Sequence, residues 1–225
     1  MPDPRTILAE LATLEGSTVV DVGCGDGDLV RWLAGQGAHA IGVEVGDEPL
    51  AAARAATPVA DERYEQGGAE ALPLPDASAD VATFIQSLHH VPVELMDQAL
   101  AEVARVLRPG GLVFIQEPLA EGDQFEVLQP LDDETHVRAQ AQLALGRLPA
   151  TLRSEQSITL GLRVRHESFE ALRDRVLMND AERTERFPEV EDELRALFDR
   201  LATPVGGAFV LRQPTKVDVL RRTGA

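Results

Sequence analysis

The sequence is poor in cysteine and lysine and has no long apolar run, and these shortages bound what it can be. The single cysteine, Cys24, rules out an internal disulfide and a cysteine-based metal cluster. It sits inside a glycine-rich stretch, where it reads as a small residue that fits; a nucleophilic role would need a base beside it. Lysine occurs once, at Lys216, against 20 arginines, and 38 acidic residues bring the net charge to −17. Such a chain repels phosphate backbones at long range, so nucleic acid is not an expected partner. The acid excess reads as a solvated surface; a salt-rich cytoplasm or a GC-rich genome, rather than a partner, is the alternative reading of acid excess with almost no lysine. No run of 18 apolar residues occurs, so no membrane span is expected. The start, Met1-Pro2-Asp3-Pro4-Arg5, lacks the basic-then-apolar order of a signal peptide, and a cytoplasmic location is expected. Repeats, low-complexity tracts and obvious linkers are also missing.

The most informative stretch is Val19-Val20-Asp21-Val22-Gly23-Cys24-Gly25-Asp26-Gly27-Asp28-Leu29. A β-branched run ends in an acid, three glycines follow at alternate positions, and Leu29, Val30, Leu33 and Ala34 then recur at helical spacing. This reads as strand, tight turn and helix. Glycine permits positive φ and lets a ligand approach the main chain without a Cβ in the way. The N–H groups at a helix start suit a polar or anionic ligand. The spacing is G-x-G-x-G, with the third glycine one residue earlier than in the dinucleotide fingerprint G-x-G-x-x-G.

In chain order the pattern predicts a helix over 3–14, strands at Thr18–Val22 and 38–44, a helix over 26–36 and a helix over 47–56. It continues with a weak strand at Arg63–Gln66, a strand at Ala79–Ile85, a long amphipathic helix over 93–107 stopped by Arg108-Pro109-Gly110-Gly111, and a strand at 112–116. Alternation at this spacing means βαβ units and a parallel sheet covered on both faces. Ligands of such sheets bind beyond the carboxyl ends of the strands. After Pro118 the expectation is a loop over 121–130, a helix over 132–148, a strand over 158–165, a helix capped by Ser168, a helix over 189–202, and two short strands, 208–212 and 216–221, joined through Gln213-Pro214. The fold class is thus α/β: a doubly wound, mostly parallel seven-stranded sheet with helices on both faces and a helical lid insertion. One domain over 1–225 is expected, with a core at 15–117, a lid and acceptor region at 118–205 and terminal strands at 206–225. The second half holds too few segments for an independent core.

Glu44 closes the second strand, 17 residues after Gly27. An acid there can accept both hydroxyls of a ribose, so turn and acid together describe a nucleoside site.

At this point the sequence resembles the S-adenosylmethionine-dependent methyltransferases of the Rossmann-like class. It is similar especially to the small-molecule branch that includes the ubiquinone/menaquinone C-methyltransferases. The matching pieces are the glycine stretch from Val19 to Gly27, Gly42-Val43-Glu44, the run from Ala69 to Asp80, Leu88-His89-His90-Val91, and the run from Glu102 to Gly111. The resemblance covers about residues 15–117. It implies S-adenosylmethionine as cofactor, with the main chain of Gly23, Cys24, Gly25 and Gly27 beneath its amino-acid and ribose portions. Asp21 would lie near the ammonium group, Glu44 and the adjoining Val45 at the ribose, Gly68, Ala69 and Glu70 at the adenine edge, and Phe84, Ile85 and Gln86 along the methionine portion. Relatives often carry Gly-Asp-Ala-Glu where this chain has Gly67-Gly68-Ala69-Glu70. The acid expected at 68 is missing, and Glu70 or a backbone carbonyl is left to replace it.

Methyl transfer from a sulfonium is an in-line displacement that depends on holding the acceptor at the right distance and angle. A base is needed only where the acceptor loses a proton. His89 and His90 stand where such a base would sit, one facing the pocket and the other packing, and Glu117 at the end of the fifth strand is a further candidate. His136 and His166 near Asp132, Asp133 and Glu134 have no metal-ligand spacing and read as a solvated face. Arg138, Arg147, Arg153, Arg163 and Arg165 suit an anionic acceptor or surface pairing equally. The reading is an enzyme that methylates a small molecule, as a monomer or homodimer, with no metal. Two rivals are kept open: a non-catalytic nucleoside- or partner-binding protein on the same scaffold, and a nicotinamide-dependent oxidoreductase, against which the glycine spacing and the later motifs count. The acceptor atom is not legible.

Overall fold

The β-branched run Thr18–Val22 forms β1, with its side chains buried from Val19 onward. The computed structural model describes residues 4–178 and 180–224. Helix α1 (Pro4–Leu11) precedes β1. After β1 come α2 (Asp28–Gly35), β2 (His39–Glu44), α3 (Asp47–Ala55), β3 (Arg63–Gln66) and β4 (Ala79–Ile85). Two single 3-10 turns, Leu88–His90 and Val93–Leu95, lead into α4 (Met96–Val106) and β5 (Leu107–Pro118). The remainder comprises α5 (Asp123–Leu128), α6 (Thr135–Leu145), β6 (Leu152–His166), α7 (Phe169–Leu177), α8 (Ala181–Leu201), β7 (Thr203–Val205) and β8 (Ala208–Arg222).

The sheet order is β3-β2-β1-β4-β5-β8-β6, with β7 pairing antiparallel to β8. Strands β3, β2, β1, β4 and β5 are parallel. From β1 the chain proceeds outward through β2 and β3, then returns to place β4 on the other side of β1. The direction of winding therefore changes between β1 and β4, and the crevice at their carboxyl ends is the expected ligand position of a doubly wound sheet. The expected α/β class and mostly parallel sheet are present, with seven strands along the path and β7 as an eighth.

The chain divides into two compact units, one of Met1–Glu117, Gln140–Ile158 and Lys216–Ala225, the other of Pro118–Ala139 and Thr159–Thr215. In the first, Val20, Val22, Phe84, Leu88, Leu100, Val103 and Ile115 belong to one buried apolar cluster. The spacing of Leu100, Val103 and Ala104 along α4 explains this, because residues three and four apart share a helix face. In the second unit, Val127, Leu131, Phe169, Leu172, Phe187, Leu194, Phe198 and Leu211 form a cluster of their own, which the spacing of single segments did not reveal.

Several boundaries differ from the sequence pattern. Helix α2 begins at Asp28 rather than at 26, because Gly27 at φ +78 is still part of the turn. The helix expected over 93–107 starts at Met96, after the 3-10 turn at Val93–Leu95. Arg108–Gly111 does not lie between helix and strand: β5 starts at Leu107, and a register shift opposite Ala79 and Val81 accommodates the glycines. The loop expected over 121–130 holds α5, whose Phe125 and Val127 are buried. Helix α8 begins at Ala181, eight residues before the expected start, and runs through Pro188. Proline removes one backbone bond there, and burial of Phe187, Leu194 and Phe198 offsets the loss. The two terminal strands are one, β8. Gln213 Nε2 donates to the Leu119 and Pro214 carbonyls at 3.0 and 2.9 Å, and the Leu119 N–H donates to the Pro214 carbonyl at 2.9 Å, so the Gln-Pro pair is held extended.

Ser168 caps α7, its hydroxyl accepting the Ala171 N–H at 3.1 Å. Replacement by alanine leaves that donor without its cap. Ser168→Ala is expected to lower stability by about 1 kcal/mol in urea unfolding followed by circular dichroism; an unchanged midpoint would contradict this role.

Candidate functional site

The crevice predicted by the winding is a cavity of about 550 Å³. Its floor is the glycine turn after β1. Gly23 has φ +73, and a Cβ added to it would lie 2.6 Å from Cβ of Ser87, so glycine is required twice over. Gly25 has φ +54 and open space where a Cβ would stand. The turn is tied to β2 by its own main chain: the N–H groups of Gly23 and Cys24 donate to the Val43 carbonyl at 2.8 and 3.1 Å. Glu44 completes the tie. Its Oε2 accepts the Gly25 N–H and its Oε1 accepts the Gly46 N–H, each at 2.9 Å.

Most of the sequence-derived cofactor residues meet here: Gly23, Gly25, Glu44 and Val45 on one side, Gly68, Ala69 and Glu70 on another, and Phe84 and Gln86 at the end of β4, with the candidate base His90 beyond them. Val22, Gly67, Ser87, Val91 and Pro92 also line the cavity; of these, Pro92 lies outside every stretch that the sequence pointed to. Ser87 falls at the carboxyl end of β4, where a ligand of such a sheet is expected, and its direction is set by the hydroxyl donating to the Val22 carbonyl at 2.6 Å. The Glu70 carboxylate lies where a side chain at Gly68 would project, so this chain puts an acid in that space from two residues further on.

Asp21, Cys24, Gly27, Ile85, His89 and Glu117 are not on the cavity wall. Asp21 is 3% exposed and accepts a hydrogen bond from the Thr83 hydroxyl at 2.7 Å. Burial pushes its carboxyl up to about 7, with the Thr83 bond opposing and the Glu44 charge adding to the rise. The Cys24 thiol is pushed up to about 12, chiefly by burial and then by the charges of Asp21 and Glu44, which leaves it protonated and unreactive at neutral pH.

The histidine pair divides its positions. His90 is exposed and lines the cavity, whereas His89 is 3% exposed with its Nδ1 paired to Oε2 of Glu117. The rings lie 4.1 Å apart between centroids. Glu117, 1% exposed, is fully engaged: its Oε1 also accepts the N–H groups of Ser87 and Leu88 at 3.1 and 2.8 Å. It is neither a solvent-facing acid nor on the cavity wall; it locks the segment after β4.

In the second unit His166 is buried rather than solvated. It pairs with Gln124 Oε1 at 2.9 Å, and burial first, then the charge of Arg175, holds its pKa below the usual imidazole value. The arginines that suited an anionic acceptor are largely paired: Arg138 with Glu134, Arg147 with Asp97, Arg153 with Glu155 and Arg165 with Glu167.

Residues 20–115 match the family model described as a methyltransferase domain. The chain is 41% identical over 106 residues to a ubiquinone biosynthesis O-methyltransferase of Aeromonas salmonicida (strain A449), covering 45% of this chain and 43% of that protein. It is 37% identical over 105 residues to a fatty-acid O-methyltransferase of Mycolicibacterium smegmatis, covering 46% and 38%. The matches thus span less than half the length of these relatives. Among solved structures, an S-adenosylmethionine dependent methyltransferase from Mesorhizobium loti superposes with TM-score 0.57 at 22% identity, covering 97% of this chain and 96% of that one. The cyclase SpnF superposes with TM-score 0.63 at 18% identity, covering 97% and 80%. These likenesses show a shared fold.

Folded Asp21 keeps its proton to about pH 7, against 3.8 for an ordinary, solvated aspartate. The folded chain therefore binds the extra proton between those values, and the associated stability is present below pH 4 and lost as pH rises to 7. Asp21→Asn fixes the neutral form. Its stability relative to the parent is expected to improve by about 4 kcal/mol between pH 4 and pH 8 in denaturant titrations. A pH-independent difference would contradict the burial of an ionisable carboxyl here.

Proposed function

We propose that this chain, whose residues 20–115 match a methyltransferase domain, is a Rossmann-like methyltransferase that transfers the methyl group of S-adenosylmethionine to a small-molecule acceptor. The observation that carries the reading is the Glu44 carboxylate, set on the wall of a 550 Å³ cavity beside a glycine turn that presents open main chain. Each of its oxygens accepts one backbone N–H and retains a lone pair, which fits the two hydroxyls of a ribose. Gly25 lets the ligand lie against the backbone, and Glu70 supplies the acceptor for the adenine amino group that Gly68 lacks. Asp21 acts near the ammonium group through water, and Phe84 and Gln86 bound the methionine portion. The sulfonium-activated methyl group is what the cofactor supplies when bound.

The protein's own part is orientation. Cavity-lining His90 is the candidate base for an acceptor that loses a proton as it attacks. Buried His89 and Glu117 are positioning residues: Glu117 fixes the Ser87–Leu88 backbone and His89 together, and His89 packs on the His90 ring. Two relatives are named as O-methyltransferases, which makes oxygen acceptors the first class to test. No helix among the described residues is long and apolar enough to cross a membrane. A cytoplasmic location, and the absence of nucleic-acid partners suggested by the net charge of −17, belong to the same proposal.

Calorimetry of the full chain tests the cofactor. S-adenosylhomocysteine is expected to bind, and Glu44→Ala to weaken it by about 100-fold, in line with two lost hydrogen bonds to a charged group. Absence of binding to folded protein would end the reading. Glu70→Ala is expected to cost about tenfold, with part of the loss restored by adding Gly68→Asp. With a panel of phenols, carboxylic acids and amines, formation of S-adenosylhomocysteine separates an enzyme from a binding protein. On any acceptor so found, His90→Ala should lower kcat by about 100-fold with KM little changed, and an unaltered kcat would remove it as the base.

A further inference from the structure

The register of β4 on β5 sorts the strand ends by face. Phe84 and Ile115 face one side, with Glu117 next on that side; Ile85 is paired with Gln116 on the other, with Phe114 two residues before it. The second face opens on a smaller cavity of about 140 Å³. Its apolar walls are Leu8 of α1, Leu29 of α2, Ile85 and Phe114. Gln116 also lines it, is 1% exposed, and has a side-chain Oε1 with no hydrogen-bond partner. A buried acceptor without a donor is costly, and such atoms in folded chains call for an explanation.

The surroundings narrow what would supply the donor. Arg5 reaches this cavity, but it is ion-paired with Asp28, and its guanidinium stands 5.8 Å from the centre of the Trp32 ring. Its charge is matched, and in a chain of net charge −17 nothing here calls for an anion. The volume is that of an apolar cavity that accepts a benzene ring, about 150 Å³. Gln86 lines this cavity and the larger one alike, and it is a non-glycine residue at φ +56, held where its N–H donates to the Gln116 carbonyl at 2.8 Å.

We propose that the smaller cavity is a subsite for a neutral, hydroxyl-bearing ring of about the size of phenol, and that Gln116 selects it by accepting the hydroxyl hydrogen. The four apolar side chains enclose the ring, and Oε1 of Gln116 receives the one donor that they cannot satisfy. The proposal rests on the methyltransferase reading in one respect: the ring is that of the acceptor, and Gln86 is the shared wall between it and the cofactor.

The test uses phenol and toluene, which differ in the hydroxyl, titrated separately into the full chain saturated with S-adenosylhomocysteine and followed by NMR chemical shifts. Phenol is expected to bind about tenfold more tightly than toluene. In Gln116→Leu the preference should vanish while the affinity for S-adenosylhomocysteine and the melting temperature remain. Leu29→Trp, which fills the cavity from a half-buried position, should abolish binding of both rings. Equal binding of phenol and toluene by the parent chain, or a preference that survives Gln116→Leu, overturns the proposal. So does a tenfold loss of S-adenosylhomocysteine affinity in Gln116→Leu, which would place part of the cofactor in this cavity. Failure of the parent chain to bind S-adenosylhomocysteine counts against the methyltransferase reading alone, because the phenol and toluene titrations on the same chain still measure the subsite.

Discussion

Everything in the first unit depends on how the turn after β1 is held against the end of β2. Four N–H groups converge on two residues: Gly23 and Cys24 donate to the Val43 carbonyl, and Gly25 and Gly46 donate to the Glu44 carboxylate. A carboxylate receiving two backbone donors at a fixed angle is a strong tether, because charge-assisted bonds exceed neutral ones. The tether has two results. It fixes the glycine main chain as a floor, and it leaves the same carboxylate facing the cavity with acceptor capacity in hand. Structure and ligand recognition therefore share one side chain.

A second constraint acts at the end of β4. There Glu117 reaches across from β5 and accepts the N–H groups of Ser87 and Leu88 while pairing with His89. The residues that follow β4 are thereby turned so that Ser87 and His90 reach the cavity and His89 does not. The parity of β5 is what makes this possible. Glu117 and Gln116 are adjacent in sequence but serve opposite faces of the sheet, one tying down the segment beside the larger cavity and the other leaving an acceptor in the smaller one.

Charge is handled locally rather than by depth of burial. With 38 acids against 21 basic residues, the surface carries its excess in water, while arginines are engaged close to home, as Arg105 is with Glu102 and Asp76. Glu117, Asp218 and Asp21 are buried instead, and Asp21 shows the consequence. It is buried beneath the turn, answered by one hydroxyl, and keeps its proton far above the usual carboxylate range because desolvation outweighs the Thr83 bond.

What the sequence determined by itself lies where local chemistry is strict. Alternation of β-branched runs with helical spacing dictated the parallel sheet, and positive-φ positions demanded glycine at Gly23, Gly25 and Gly27. Ser168, one residue before an apolar run, marked a cap that the structure contains. Glu44 was legible because an acid that closes an apolar strand has few purely structural uses. Tertiary structure decided the rest. Which of two adjacent histidines faces the cavity depends on a partner 28 residues away, Glu117, and no local pattern encodes it. Six-residue α5 and the passage of α8 through Pro188 were hidden because burial of Phe125 and Phe187 overrode weak local preference. Gln213-Pro214 reads as a turn in isolation, yet a single extended strand results once Leu119 donates to the Pro214 carbonyl and accepts from the Gln213 side chain. Side-chain direction and distant hydrogen bonding belong to the packed chain, and the ligand cavities are made of both.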